Sequence, residues 1–281
     1  MPMVHDVIAS RQNQHIVKLV KLSDRKHREE MRLFRFDGVK LLCEAIKREV
    51  PLDSVFVRAG SEERLDARMG ELYGLSMKDL DCDVFQVSED LFDRISEEKS
   101  PEGVISVANY IDKFHKMIKI EDGNLQWPTD QPTLLLESVR DPSNVGAILR
   151  SAAALGVTHV ILSEDCADLY HSKTVRATMG TMFSMPLCRV SDMPAAVRFL
   201  RGRGQRVFAS TLNDHSVSLD EVTFAPGDCV VIGNEGHGLS ENTVDACGQT
   251  VYIPMQADVE SLNASVAAAL LMWELGRARP Q

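Results

Sequence analysis

"TLLLESVRDPSNVGAILRSAAALGVTHVILS", residues 133–163, decides how the chain is read. It opens and closes on short apolar runs, Leu134–Leu136 and Val160–Leu162. Neither run alternates with polar residues, so each reads as a strand buried on both faces. Between them, residues 143–156 carry Ala and Leu along one face and stop at Gly156, the pattern of a helix with its stop signal. "RVFAST" (206–211), "DCVVIGN" (228–234) and "TVYIPM" (250–255) add further short apolar strands, and "LNASVAAALLMWELGRA" (262–278) is a closing helix. Apolar strands alternating with helices predict an α/β domain with a parallel sheet covered on both faces. Ligands of such sheets bind beyond the C-terminal strand ends, so the residues just past those ends carry the functional question.

Three stretches sit there. In "ESVRDPSNVGAILRSA" (137–152), Asp141-Pro142 makes a turn and Ser143 or Asn144 can cap the helix; Asn144 and Arg150 are either cap and surface ion-pair partner or site residues. In "VVIGNEGHGLSENT" (230–243), Gly233, Gly236 and Gly238 crowd around an acid, Glu235. Glycines let main chain approach a ligand, but a phosphate loop would follow with lysine, and this one holds a carboxylate. In "YIPMQADVESLNASVA" (252–267), Pro254 ends a strand and Ser261-Leu262-Asn263 opens the last helix, as a cap or as a polar binding edge.

The bulk numbers bound these readings. The 281 residues suit one large or two modest domains, and 44% apolar residues suffice for real cores. A net charge of −10 argues against a protein that coats nucleic acid nonspecifically. Yet residues 1–50 hold eleven Lys and Arg against seven acids, a local surplus of four. In "NQHIVKLVKLSDRKHREEMRLFRFDG" (13–38), Ile16, Leu19, Val20 and Leu22 fall at helical spacing, and "GVKLLCEAIKRE" (38–49) reads as a second amphipathic helix. "SVFVRA" (54–59) and "DVFQVS" (83–88) read as strands. Residues 1–111 are therefore expected to form a small α/β domain with a basic edge, open to RNA contact or simply solvated. The polar, Pro/Gly-punctuated stretch 112–131 reads as a linker, and 132–281 as the second domain. Six cysteines without a C-x-x-C pair give no metal spacing and suit free thiols in a reducing cytoplasm. The polar N-terminus shows no signal peptide, and no apolar run reaches membrane-spanning length.

Taken in order, "DPSNVGAILRSAAALG", "VVIGNEGHGLS" and "VYIPMQADVESLNASVAAAL" resemble the three motifs of the SpoU (TrmH) family of SPOUT-class RNA methyltransferases. "VRATMGTMFSMPL" (175–187) also resembles a family segment, with Thr178 where the family often has Ser. The likeness spans about residues 132–278. "IASRQNQHIVKLVKLSDRKHREEMRLFRFDGVKLLCEAI" and "SPEGVISVAN" resemble the substrate-binding domain that precedes the catalytic domain in ribosomal RNA members.

The resemblance implies a trefoil-knotted parallel sheet domain behind a smaller α/β RNA-binding domain. It implies S-adenosylmethionine as cofactor, no metal, and 2′-O-methylation of an RNA ribose, ribosomal RNA being the leading substrate. It implies a homodimer; from the chain alone, the small-residue helix near 263–275 serves an interface or a monomer core equally well. By motif match the cofactor slot is formed by Thr211 and Leu212, by Ile232, Gly233, Glu235 and Gly238, and by Ile253, Pro254 and Met255, with Leu262 closing it. Asn144, Arg150, Glu235, Ser261 and Asn263 line the reacting centre. Glu235 is expected to fix the loop and orient Arg150 or the ribose; Ser261 and Asn263 to hold the nucleotide or the cofactor's polar end. Arg150 is the family's proposed base. A guanidinium stays protonated near neutrality, so Arg150 either receives help in losing its proton or remains charged beside a developing alkoxide. The competing readings are a transfer RNA methyltransferase and a non-catalytic RNA-binding assembly factor. A dinucleotide oxidoreductase is disfavoured, since the glycines run G-x-x-G-x-G.

Overall fold

A computed structural model describes residues 4–112, 115–117, 127–256, 258 and 261–277. The chain divides into two compact units. One comprises residues 1–111 with Asp168–Ser184, the other Asp112–Ala167 with Met185–Gln281.

In the first unit, β1 (Val4–Ile8), α1 (Gln14–Lys21), α2 (Arg25–Met31), β2 (Leu33–Asp37), α3 (Val39–Lys47), β3 (Leu52–Arg58), α4 (Glu62–Tyr73), β4 (Asp83–Val87), α5 (Glu89–Ile95) and β5 (Val104–Asn109) follow one another. The five strands form a mixed sheet in the order β1-β4-β3-β5-β2. Pleat alternation feeds two cores. Phe56 joins Ile16, Leu19 and Phe92 on one face, while Val55 and Val57 join Leu42, Leu65 and Met69 on the other. The helical spacing at Ile16–Leu22 falls on α1, while the stretch 13–38 as a whole forms two helices and a strand. Asp24 caps α2 through the Lys26 N–H, and Arg32 then takes a left-handed φ of 56° that ends it. Val20, expected on the buried stripe, is exposed, whereas Ile16, Leu19 and Leu22 are buried.

The basic edge is largely spent internally. Lys18 pairs with Asp53, Arg25 with Glu29, Lys26 with Glu30, Arg28 with Asp168, Arg35 with Asp37 and Arg48 with Glu44, and Lys47 lies over the Tyr73 ring. Arg11, Lys21 and Lys40 are exposed.

The second unit contains β6 (His115–Met117), β7 (Thr133–Leu136), α6 (Pro142–Leu155), β8 (His159–Ser163), β9 (Leu187–Val190), α8 (Met193–Gly202), β10 (Val207–Ser210), β11 (Val217–Ser218), β12 (Cys229–Ile232), α9 (Glu241–Cys247), β13 (Gly248–Tyr252) and α10 (Ala264–Arg277). The helix α7 (Ser172–Thr178) belongs to the first unit. The eight strands run in the order β11-β13-β10-β12-β7-β8-β9-β6, and every pairing is parallel. Leu135, Ile161, Val207 and Val231 face a core built with α8 and α9. Their neighbours Leu134, Leu136, Val230 and Ile232 point the other way, and α10 packs on α6 and β12.

The stretch 112–131 is not a free linker where it is described. His115–Met117 is an edge strand on β9, and buried Trp127 donates from Nε1 to Thr133 Oγ1 at 2.9 Å. Residues 113–114 and 118–126 of that stretch lie outside the described residues, as do 257, 259 and 260 of the third motif. All six cysteines are free. Among the described residues no helix is long and apolar enough to cross a membrane.

Candidate functional site

Parallel pairing of β13, β10, β12 and β7 sets four strand exits side by side. Apart from Ile232, which ends β12, the loops leaving them contain every candidate residue except those on α6 and at the start of α10.

A side-chain cap fixes the start of α6. Asp141, not Ser143 or Asn144, is its cap: the Asp141 carboxylate accepts the Asn144 N–H at 2.8 Å, and Pro142 fills the first helical position. That arrangement frees the Asn144 side chain. Its Nδ2 donates to Glu235 Oε1 at 2.9 Å, and its Oδ1 accepts from Asn263 Nδ2 at 3.1 Å. Asn263 in turn caps α10, its Oδ1 accepting from Ser265 N at 2.9 Å and Ser265 Oγ at 2.6 Å. The chain of bonds has one direction. A carboxylate only accepts, so Asn144 must turn its NH2 to Glu235 and its carbonyl to Asn263. Asn263 must then show its NH2 to Asn144, leaving its carbonyl for Ser265. Three strand exits, far apart in sequence, thus meet in one polarised line.

The loop that presents Glu235 turns back on itself. Asn234 N and O pair with Gly238 O and N, both at 2.9 Å. Gly233 is required by space: a Cβ there would sit 2.3 Å from the Gly238 carbonyl carbon. Gly238 is required by its φ of +69°. Gly236 meets no such limit, its nearest would-be contact being Asn234 Oδ1 at 3.5 Å. The residue the glycine spacing concealed is Asn234. Its Oδ1 accepts the N–H groups of Gly236 and His237, at 2.9 and 3.1 Å.

Arg150 is exposed on α6, and its guanidinium has no hydrogen bond or ion pair among the described residues. The expected contact between Glu235 and Arg150 is therefore not made; Asn144 takes that place. The reading of Arg150 as a surface ion-pair partner is set aside for the same reason. Ser261 is exposed and stands outside the hydrogen-bonded line, and Leu262 is half-buried. Thr211 leaves β10 with its N–H on Val251 O at 3.0 Å, and its carbonyl accepts from Ser216 Oγ at 2.9 Å. Beside it Leu212 is 73% exposed. Ile232 is buried at the end of β12. Past β13, Ile253 is half-buried, Pro254 is exposed and Met255 is 42% exposed.

Two further groups were not legible from spacing. Buried Glu137, just beyond β7, accepts from Ser240 N and Oγ, each at 3.0 Å, and from Thr243 Oγ1 at 2.6 Å. Asp165, beyond β8, accepts from Ser138 Oγ and Ser163 Oγ, each at 2.6 Å, and from Arg140 at 3.3 Å. Partial burial pushes its carboxyl up, but those hydrogen bonds outweigh burial and hold it below the ordinary value. Thr178 belongs to the first unit; its hydroxyl donates to Val175 O at 2.7 Å within its own turn, a bond serine can also make.

Two family models and several known proteins match this chain. A model of the SpoU rRNA methylase family matches residues 131–273, and one of the MRM3-like substrate binding domain matches residues 13–106. The 23S rRNA (guanosine(2553)-2'-O)-methyltransferase RlmP of Bacillus subtilis is 27% identical over 268 residues, 95% of this chain and 98% of its own length. The 23S rRNA (guanosine-2'-O-)-methyltransferase RlmB of Haemophilus ducreyi is 32% identical over 80% of this chain and 89% of its own. The crystal structure of an AdoMet-bound rRNA methyltransferase from Sinorhizobium meliloti superposes with a TM-score of 0.79 at 25% identity, covering 98% of both chains. With its methylase half matched across 131–273 and the three motifs gathered at neighbouring strand ends, the chain belongs to the SpoU rRNA methylase family.

Proposed function

We propose that the protein is an S-adenosylmethionine-dependent RNA methyltransferase that methylates a ribose 2′-hydroxyl of ribosomal RNA. The observation that carries this is the directed line Ser265–Asn263–Asn144–Glu235, which ties the three family motifs into one polar edge. The relatives named above act on 23S rRNA, and the match to a substrate-binding domain covers most of the first unit.

The residues present suit the cofactor. Exposed Leu212 and Met255 and half-buried Ile253 and Leu262 offer an apolar lining for a neutral adenine, and they sit beside a glycine loop with no lysine. Thr211, Gly233, Gly238 and Pro254 supply main chain at the same strand ends. When bound, the cofactor supplies a methyl group on a sulfonium, which needs no metal to be electrophilic. This chain's residues then have two tasks. Glu235, fixed through one carboxylate oxygen by Asn144, keeps its other oxygen for the ribose; Ser261 and Asn263 are assigned to hold the nucleotide or the cofactor's polar end. Arg150, without a hydrogen bond or ion pair among the described residues, is free to stabilise the alkoxide that develops on the attacking 2′-oxygen. Holding the reactants in line supplies about 7–11 kcal/mol of barrier reduction by itself, so a strong base is not required.

The same reading assigns residues 1–111 to RNA binding, residues 132–281 to catalysis and the C-terminal part of the sheet to the family's trefoil knot. The return of β13 beyond β10 is compatible with such a path. It also assigns a homodimer. Val266, Leu270 and Trp273 follow one another down a single face of α10, at 47, 42 and 59% exposure, a stripe that a second copy would cover. Free thiols support a cytoplasmic setting: burial pushes those of Cys188, Cys229 and Cys247 up to about 12, which keeps them unreactive.

The test is methyl transfer from labelled S-adenosylmethionine to unmodified ribosomal RNA and, separately, to unmodified transfer RNA, beside Arg150→Ala. Label on the ribose of ribosomal RNA, lost in the variant, is the expected result. Label in transfer RNA alone moves the substrate, and no cofactor binding ends the proposal.

A further inference from the structure

Glu235, Gly236, His237 and Gly238 are all exposed, so packing does little to hold the glycine loop. Two adjacent residues at the exit of β7 hold it instead. Glu137 grips the far end: its buried carboxylate takes the Ser240 N–H and hydroxyl and the Thr243 hydroxyl. Its own N–H donates to Ile232 O at 2.8 Å, at the strand end that enters the loop. Ser138 grips the near end. Its φ of 57° is left-handed, and its carbonyl accepts from Asn234 Nδ2 at 2.8 Å. That unusual conformation for a serine is pinned from both sides, by Ser138 N on Ser163 Oγ at 2.8 Å and Ser138 Oγ on Asp165 at 2.6 Å.

We propose that Glu137 and Ser138 are positioning residues, a clamp on both ends of the glycine loop that sets Glu235 against Asn144. The inference rests on the reading above that this loop serves methyl transfer. Glu235 and Asn144 belong to different elements, and their bond at 2.9 Å survives only if the loop returns to one place. An exposed loop left to its own contacts opens locally at little cost. Fastening its ends to a sheet strand puts the carboxylate on the rigid part of the fold, which a preorganised site requires.

Hydrogen–deuterium exchange of residues 233–240 in the full-length protein reads the clamp without any substrate. Asn234→Asp removes the donor to Ser138 O yet keeps the acceptor for Gly236 and His237. Ser138→Val disfavours the left-handed backbone, and Ser138→Gly permits it. Asn234→Asp and Ser138→Val are expected to speed loop exchange about tenfold or more, with β10 and α6 unchanged, while Ser138→Gly stays slow. In the ribosomal RNA assay Asn234→Asp is expected to lower kcat about tenfold with KM for RNA nearly unmoved. That loss is expected to vanish in a Glu235→Ala background, where no carboxylate is left to place. Unchanged loop exchange in both Asn234→Asp and Ser138→Val would overturn the clamp. A full additive loss in the Glu235→Ala background would overturn its positioning role. Faster exchange with unaltered kcat would likewise overturn the positioning role, whereas no methyl transfer by the native protein would overturn the functional reading, so the two failures separate.

Discussion

Arg150 and Gly233 show how differently single residues can matter at one site. Arg150 touches no partner among the described residues, so removing it breaks nothing in the fold. Arg150→Ala is expected to leave thermal stability within about 0.5 kcal/mol of the native protein and to cut methyl transfer about a hundredfold or more. Melting curves beside single-turnover rates check both halves; a large loss of stability would show that the side chain is structural. Gly233→Ala should cost stability as well as function. The added Cβ meets main-chain atoms of Gly238 and Leu239 at 2.3–2.5 Å, and neither can swing aside as a side-chain tip would. A loss of about 1–3 kcal/mol is expected, together with lost cofactor binding by calorimetry. At this scale the motif spacing was informative: Asn144, Glu235 and Asn263 were singled out as residues just past strand ends, and the fold joins them. Glu137 was not, because a lone acid after an apolar run looks solvated. Its partners Ser240 and Thr243 lie more than a hundred residues away, a pairing no local pattern reveals.

At the scale of elements, helix ends carry the geometry. Asp141 caps α6 and thereby fixes where Asn144 stands. Asp141→Ala is expected to cost about 1 kcal/mol of stability; Asp141→Asn, which keeps an acceptor for the Asn144 N–H, should recover most of it. Recovery of activity in step with stability, across the two variants, would tie the cap to the site. Asp165 adds a dependence on acid. Its folded carboxyl lies below the ordinary value of 3.8, so its contribution is complete above that value and is lost as pH falls through the folded one. Melting temperatures of the native protein and Asp165→Asn should differ near neutrality and converge in strong acid; a constant gap would refute the linkage. In the second unit β7, β8, β10, β12 and β13 were legible because parallel sheets demand continuous apolar runs, whereas β9, broken by Arg189, was not. β2 was not. "LFRFD" (33–37) continues a charged, helix-like stretch, and the burial of Arg35 against Asp37 is a tertiary pairing that its polarity conceals.

The whole chain departs furthest from a linear reading in the first unit, which is not contiguous. After β8 the chain contributes Asp168–Ser184 to that unit before it resumes at β9. Arg28, 2% exposed, places Nε and NH2 on Asp168 Oδ2 at 3.1 and 2.7 Å, and its other nitrogen on the carbonyls of Leu22 and Ser23. Tyr170 stacks on Tyr110 at 3.8 Å and meets Phe34, while Phe183 lies against Phe34 and Phe36 and α7 packs on β2. The segment is thus part of the unit's core, although a boundary drawn after residue 111 removes it. A fragment of residues 1–111 would lose the Arg28–Asp168 pair and the packing of Tyr170 and Phe183, the latter worth about 1.5–3 kcal/mol for each buried ring. Losses of that size approach the whole stability of a small domain. The fragment is therefore expected to melt poorly or not fold, and joining 168–184 through a flexible Gly/Ser linker should restore a cooperative transition by circular dichroism. Asp168→Asn in the joined form should lower that transition again. A bare 1–111 fragment that melts as cooperatively and as high as the joined one would show that the segment merely rests on a domain already complete.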